Sequence, residues 1–490
     1  MQVHVVPLVL LIAYTVVTIG VANIVLKKKL GADHFLVAGR ALPLALVVAV
    51  VLGDWIGGNA TVGVGQRGYT EGIVGSSYSI ALGIAMFVFA STMSARYRRL
   101  RAITIPEVVG RLYDPKTRLM SAIVIGVAYF IAGITQIIAG GALLAPLLGV
   151  EKWAADLIAA LIFMAIITAG GLRSIALVNI IQMGVIFVGI VISLVFSLSL
   201  IGGSIAGGFE RLWTELPPSF WSISARHPLT LAGEVVATVL TCFAGQAAIT
   251  GIFAAKDTKA AVLGAWIVGI LLMPIGIAFA MLGMCARLHF GDMLPYGLSA
   301  APAMMLALNP FMAGIAMCGL FAAIVSTGPL CFLAPTQILL RDIYSVYINP
   351  DASDKTRLFI SRLLAIGLLV SGGILAITLT EVLKITYWGF AFRVGIAVIL
   401  LSATFLGTRR VSEDGAFYGL IAGVVVFAIW TLAGNPFRLH VGIPTAVAVF
   451  IATVAISRFR KRRHELSAEV REAMYPDKKS VRQRSKGGVR

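Results

Sequence analysis

The sequence predicts an all-α integral membrane protein with thirteen transmembrane helices. Spans two to six and seven to eleven form two five-helix halves of opposite topology, with one extra helix before them and two after. Three observations carry this. The 490 residues are 59% hydrophobic and 13% charged, with a mean hydropathy of +0.94. Soluble domains carry roughly 25% charged residues, so this apolar excess does not fit inside a soluble core. A window of about 19 residues finds thirteen apolar stretches long enough to cross a bilayer. Two of them, the second and the seventh, are interrupted by glycine in matching positions of the two halves.

Taken in order, the spans are 5–26, 41–65, 74–94, 119–147, 153–171, 176–202, 231–254, 261–286, 311–341, 358–378, 381–407, 415–434 and 441–457. The first is too long for a signal-peptide core and lacks a preceding basic region, so it reads as a retained span. The second, within ALPLALVVAVVLGDWIGGNATVGVGQRGY (41–69), meets Gly53, Asp54, Gly57, Gly58 and Asn59 halfway along. Lipid offers no hydrogen-bond partners, so a spanning helix keeps its backbone closed unless it lines a wet cavity. The seventh, EVVATVLTCFAGQAAITGIFAAK, carries Gly245 and Gln246 near its middle and Gly251 beyond. The chain then divides into an N-terminal helix and first loop (1–40), a core of repeats (41–407), two peripheral helices (408–457) and a basic tail (458–490).

The connections alternate sides, and Lys and Arg divide unequally between them. With the N-terminus outside, 32 lie in cytoplasmic segments and 7 in external ones; without the tail the ratio is 20 to 7. The inner group includes Lys27, Lys28, Lys29, Arg96, Arg98, Arg99, Arg101, Arg409 and Arg410. This positive-inside bias places the C-terminus in the cytoplasm of an inner or plasma membrane. It also accounts for the net charge of +18, and the tail reads as a topology anchor that touches lipid headgroups, not as a nucleic-acid arm. Cys242, Cys285, Cys318 and Cys331 lie in or at the ends of apolar stretches, where free cysteine packs as a small hydrophobe. The six His show no metal-ligand spacing, and general acids and bases are sparse, which argues against an enzyme.

Two charges sit mid-span, Asp54 in span two and Arg393 in span eleven; the other charged residues fall in loops or within a few turns of a span end, Glu234 being the closest exception. Each costs at least ~2.5–3.5 kcal/mol at the bilayer centre, so each needs a reason. Two readings stand. Asp54 and Arg393 form an ion pair that ties two helices together, or Arg393 holds an anionic group through its donor fork while Asp54 tunes the site or binds a cation. Span nine, AAIVSTGPLCFLAPTQILLRDIY, places the adjacent hydroxyls of Ser326 and Thr327 before Pro329. Such hydroxyls either bond back one turn along their own helix or supply oxygens to a small hard cation.

These stretches, with GDWIGGNATVGVGQRGYTEG after AGRALP, TIPEVVGRLYD, GGLRSIALVNIIQ (170–182) and VSTGPLCFLAPTQILLRDIY, resemble the sodium/solute symporter family over nearly the whole chain. The resemblance implies a LeuT-like inverted repeat and alternating-access symport of Na⁺ with a small organic solute. It implies a Na⁺ site built from the carbonyls of Gly53, Ile56 and Ala323 and the hydroxyls of Ser326 and Thr327. It implies a solute site that draws on Asn59, Gln136, Gly245, Gln246, Trp388 and Arg393, with Asp54 beside them. No organic cofactor is expected. The chain departs from the family pattern at Gly251, where an arginine is usual, at Asn179, where an aspartate is usual, and at Pro329. Its W-I-G-G is similar to the choline branch, yet Arg393 repels a cation, so the expected solute is anionic or zwitterionic, such as a carboxylate or an amino acid. A proton-coupled carrier using Asp54 is the alternative, and a transporter-derived membrane sensor is a third reading.

Overall fold

The computed structural model describes residues 5–24, 37–295, 298–379, 382–407, 410–460 and 465–476. Lys27, Lys28, Lys29, Arg409 and most of the basic tail lie outside the described residues. The described chain is helical throughout. In order the helices are α1 (Val5–Ile24), α2 (Leu44–Trp55), α3 (Val64–Glu71), α4 (Ser77–Thr92), α5 (Ser94–Leu100), α6 (Ile105–Leu112) and α7 (Pro115–Leu148). Then come α8 (Lys152–Gly202), α9 (Ile205–Glu215), α10 (Pro228–Cys242), α11 (Gln246–Ala254), α12 (Thr258–Phe290) and α13 (Ala300–Leu306). The last are α14 (Pro310–Ile338), α15 (Asp354–Ala376), α16 (Val382–Leu406), α17 (Glu413–Leu432), α18 (Gly442–Phe459) and α19 (Ala468–Met474). Among the described residues, ten helical stretches are long and apolar enough to cross a membrane.

Local chemistry sets the ends. Asp114 caps α7 by accepting from Thr117 N at 2.8 Å, Asp257 caps α12 through Ala260 N at 2.7 Å, and Asn309 caps α14 through Met312 N at 3.0 Å. Each such cap satisfies a backbone donor that the first turn leaves unpaired, worth about 1 kcal/mol. Proline at the first helical position of α7 and α14 costs nothing there, since its missing N–H has no intrahelical acceptor.

Burial sorts the helices. The apolar window of α14 is 94% buried, whereas those of α17 and α18 are 28% and 22% buried. A helix that is apolar all round and enclosed all round is the centre of the bundle. α17 and α18, just as apolar, turn most of their surface outward to the hydrocarbon.

Both glycine interruptions are real breaks. The first separates α2 from a π-helical turn at Asn59–Gly63, which leads into α3. Ile56, Gly57 and Gly58 lie between them outside any helix. The second separates α10 from α11 at residues 243–245, where Gly245 adopts φ −78°, ψ 76°.

One element differs from the expectation. The sequence separates spans 153–171 and 176–202, but the structure makes Lys152–Gly202 one helical run. Only residues 172–175 lie between the expected spans, too few for a loop of its own. The run still reverses. Ala159 lies beside Ile324 and Phe163 beside Gly328, while Asn179 lies near Ser326 and Gly189 against Gly319. Its first part thus follows the direction of α14 and its second part opposes it. A straight helix would set residues 163 and 179 about 24 Å apart, yet both meet the same turn of α14. The approach at Gly189 and Gly319 is backbone to backbone, which small residues permit between membrane helices.

Candidate ion and solute site

Four of the expected Na⁺ oxygens come together. Ser326 Oγ donates to Gly53 O at 3.2 Å and to Ala323 O at 2.8 Å. Thr327 Oγ1 reaches the same two carbonyls, at 2.5 and 3.2 Å. Each hydroxyl therefore bonds back along α14, as the first reading expected, and also crosses to α2. Gly57 fixes the approach, because a side-chain carbon there would collide with Thr327 and Gln136. Ile56, fully buried, precedes it at the end of the last bonded turn of α2, donating its N–H to Leu52 O at 2.9 Å. A cation fits this set chemically. Two carbonyls and two hydroxyls from separate helices already converge, and the hydroxyl protons can rotate away to expose lone pairs.

Asp54 and Arg393 are not paired directly. Asp54 Oδ2 accepts from the backbone N–H of Ala248 at 3.0 Å and from the Tyr129 hydroxyl at 3.4 Å. Arg393 donates its Nε to Thr241 Oγ1 and lies 4.6 Å over the Tyr129 ring and 4.9 Å over the Phe390 ring. Tyr129, which also accepts from Ala247 N at 3.0 Å, stands between the two charges. Arg393 is 2% exposed, and its Nη1 has no hydrogen-bond partner.

Other unpartnered buried atoms surround the first break: Asn59 Oδ1, Gln136 Nε2 and Trp55 Nε1. Gln136 uses its other end, Oε1, to accept from Gly58 N at 2.7 Å. Gly245 begins α11 with its Cα close to the Trp55 ring, where a side-chain carbon would come within 3.0 Å. Buried polar atoms are nearly always hydrogen-bonded, so these three have bonding capacity to spare.

Two of the expected solute residues point elsewhere. Gln246, buried at the start of α11, spends its amide on Ile103 and Ile105 of the segment leading into α6. Trp388 is half-buried beneath Lys384, whose Nζ lies 5.8 Å from the ring, and lines a cavity of about 750 Å³ that also holds Arg67 and Glu234. Sequence reasoning missed Tyr129 and Thr241. Tyr129 was legible in one respect: it lies seven residues before Gln136, two turns along the same face of α7. Thr241, in the last turn of α10, carried no comparable signal.

Between the central cluster and this cavity lies a layer of aromatic rings. Tyr78 contacts Tyr387 and Phe390, each at a centroid separation of 5.9 Å, and Phe390 meets Trp55 at 6.3 Å. The cavity wall carries a chain of ion pairs: Arg67 with Glu234 at 3.0 Å, Glu234 with Arg226 at 2.5 Å, and Arg226 with Glu71 at 2.7 Å. It joins α3 to α10, one half of each broken helix.

Discontinuous helices that face each other midway along their length are how secondary transporters turn backbone polarity toward cargo, and that is the class this fold and site define. The family model described as the sodium:solute symporter family matches residues 35–423, and the chain belongs to that family. It is an integral membrane transporter, not an enzyme. It is 24% identical over 451 residues to a sodium/glucose cotransporter of Vibrio parahaemolyticus, covering 84% of this chain and 82% of that protein. It is 25% identical over 472 residues to a sodium/pantothenate symporter of Escherichia coli K12, covering 92% and 95%. A solved structure of a Na⁺-coupled sialic acid symporter, substrate-bound and outward-open, superposes with a TM-score of 0.80. It covers 94% of this chain and 99% of the other at 16% identity, a likeness of fold.

Proposed function

We propose that this chain is a Na⁺-coupled symporter that moves a small anionic or zwitterionic solute, such as a carboxylate or an amino acid, by alternating access. The observation that carries the solute class is the orphaned Nη1 of Arg393, a fixed positive charge with unspent donor capacity, together with the unpartnered Asn59 Oδ1 and Gln136 Nε2 at the first break. Those groups match a carboxylate and an adjacent polar donor on one small molecule. Na⁺ takes the oxygens of Gly53, Ile56, Ala323, Ser326 and Thr327. Because these come from α2 and α14, the ion favours the state in which the two helices are close, and that differential affinity is the coupling.

The reading includes thirteen crossings with the N-terminus outside, a transport core at 41–407 and two peripheral helices at 408–457. The second reading is proton coupling through Asp54, a buried carboxyl that accepts from the Ala248 N–H and the Tyr129 hydroxyl between the two broken helices.

The test is a thermal-shift screen of purified protein against carboxylates, amino acids and vitamins, with and without Na⁺. A ligand at 100 times its dissociation constant stabilises by about 2.7 kcal/mol. A Na⁺-dependent shift with one carboxylate-bearing class is expected. Proteoliposome uptake driven by a proton gradient and indifferent to Na⁺ would overturn the reading.

A further inference from the structure

Gln246 follows the second break directly and is fully buried. Its Oε1 accepts from Ile105 N at 2.7 Å, and its Nε2 donates to Ile103 O at 3.1 Å and to Thr250 Oγ1 at 3.2 Å. The Ile105 N–H belongs to the first turn of α6 and has no partner within that helix. Both ends of the amide are therefore taken by the segment entering α6, and none is left for a solute.

The same segment holds α11 elsewhere. The Tyr97 hydroxyl donates to Phe243 O, a carbonyl at the break, at 2.9 Å. Arg98 donates to Ala255 O at 2.5 Å and to Lys256 O at 3.2 Å, at the far end of α11. The chain entering α2 joins this block, with Leu42 N donating to Ala254 O and Lys256 N to Leu42 O, each at 2.9 Å. The inner halves of both broken helices and residues 97–105 thus form one hydrogen-bonded plug.

Gln246 sits where the plug meets the central site. One and two residues on, the N–H groups of Ala247 and Ala248 bond to Tyr129 and Asp54. Successive positions on one turn therefore face the charge cluster through their backbone and the inner plug through a side chain. Opening a path to the inner side requires α11 to part from Ile103 and Ile105, which breaks the Gln246 bonds.

We propose that Gln246 is a positioning residue that latches the inner gate shut and transmits the state of the Asp54 cluster to the docking of residues 101–105. This rests on the alternating-access reading above. The latch stabilises the inner-closed state only, so its loss shifts the population toward inner-open.

The test is hydrogen–deuterium exchange of the full-length protein in Na⁺ and in K⁺ buffer, comparing wild type with Gln246→Met and Gln246→Glu. Met keeps the volume and removes the hydrogen bonds. The expected result for Gln246→Met is exchange faster by about tenfold in peptides covering 101–112 and 246–256, as the loss of two buried hydrogen bonds implies. Peptides at 66–72 and 226–236, on the outer ion-pair chain, should slow at the same time. Gln246→Glu, whose protonated carboxyl keeps a donor and an acceptor, should return toward wild type as pH falls. Faster exchange confined to the two inner peptides, with the outer ones unchanged, would mean local loosening and would overturn the proposal. So would no change anywhere. If wild type shows no difference between Na⁺ and K⁺, the Na⁺ reading fails on its own. The latch is still judged from the opposed inner and outer changes within one buffer.

Discussion

The carboxylate of Asp54, on the first broken helix, accepts the backbone N–H of Ala248, in the first turn of the inner half of the second, at 3.0 Å. A helix N-terminus carries unpaired donors and a partial positive charge, and an anion placed there satisfies both. The charge that the hydropathy pattern could not accommodate in lipid is thus a cap across the two halves of the bundle. Its energetic cost is offset by a helix end that would otherwise leave a donor unpaired.

Replacing Asp54 tests that cap. Asp54→Ala leaves the Ala248 N–H and the Tyr129 hydroxyl short of an acceptor. It should destabilise the protein by about 1–3 kcal/mol, whereas Asp54→Asn, which keeps an acceptor oxygen, should lose less. The unfolding midpoint followed by tryptophan fluorescence would measure both. Equal effects of the two substitutions would mean that charge, not hydrogen bonding, matters here.

Thr327→Ala removes one of two hydroxyls that reach Gly53 O. The Na⁺ concentration for half-maximal uptake should rise by roughly tenfold, the worth of one coordinating oxygen. Discrimination among solutes should barely change. An unaltered Na⁺ titration would remove Thr327 from the ion site.

Arg393→Lys keeps the positive charge and loses the planar fork that stacks on Tyr129 and Phe390. Because Lys does not reproduce bidentate or stacked geometry, solute-induced stabilisation should need about 10–100 times more solute. The Na⁺-induced shift should survive, since Arg393 is not among the ion's oxygens. Loss of both shifts together would point to a collapsed site.

Glu234 joins Arg67 and Arg226 while only 4% of its side chain is exposed. Breaking one partner of a buried pair strands the other charge, at a cost of about 3–5 kcal/mol. Glu234→Gln and Arg67→Gln should each destabilise strongly, and the double variant should recover about 1–3 kcal/mol of the summed loss. Additive losses in thermal unfolding would show that the two side chains do not interact.

His440, in the connection before α18, has its pKa lowered from 6.5 to about 4, first by burial and then by the nearby Arg226 and Arg67, against the opposing pull of Glu234. A base with a depressed folded pKa takes up its proton in the unfolded chain first. Its contribution is therefore complete above about pH 6.5 and is lost as pH falls toward 4, up to roughly 3 kcal/mol. His440→Gln should flatten the decline in melting midpoint across that window. A slope unchanged by the substitution would assign the acid sensitivity to other groups.

Much of this fold is legible in the amino-acid sequence. The two breaks fall where Gly57, Gly58 and Gly245 interrupt apolar runs, since helix continuity is a local property and glycine weakens it locally. Ser326 and Thr327 meet Gly53 as the family resemblance implied. The division between spans 153–171 and 176–202 is where the chain reverses, but hydropathy does not report that the reversal comes without a separate loop. The family resemblance implied Gln246 and Trp388 at the solute site. The fold bonds Gln246 to Ile103 and Ile105 and sets Trp388 in the wall of the cavity beside Arg67 and Glu234.

The sequence by itself determined that the chain lives in a bilayer as apolar helices, where two of them break and which polar groups accompany the breaks. Those follow from composition and short-range order, because lipid demands long apolar helices and penalises every exception. Only the tertiary structure decided that Tyr129 separates Asp54 from Arg393, that Asp54 caps α11, and that Gln246 bonds to Ile103 and Ile105. Each of these turns on the direction of a side chain at a helix break, set by neighbours distant in sequence, and no local pattern encodes that direction.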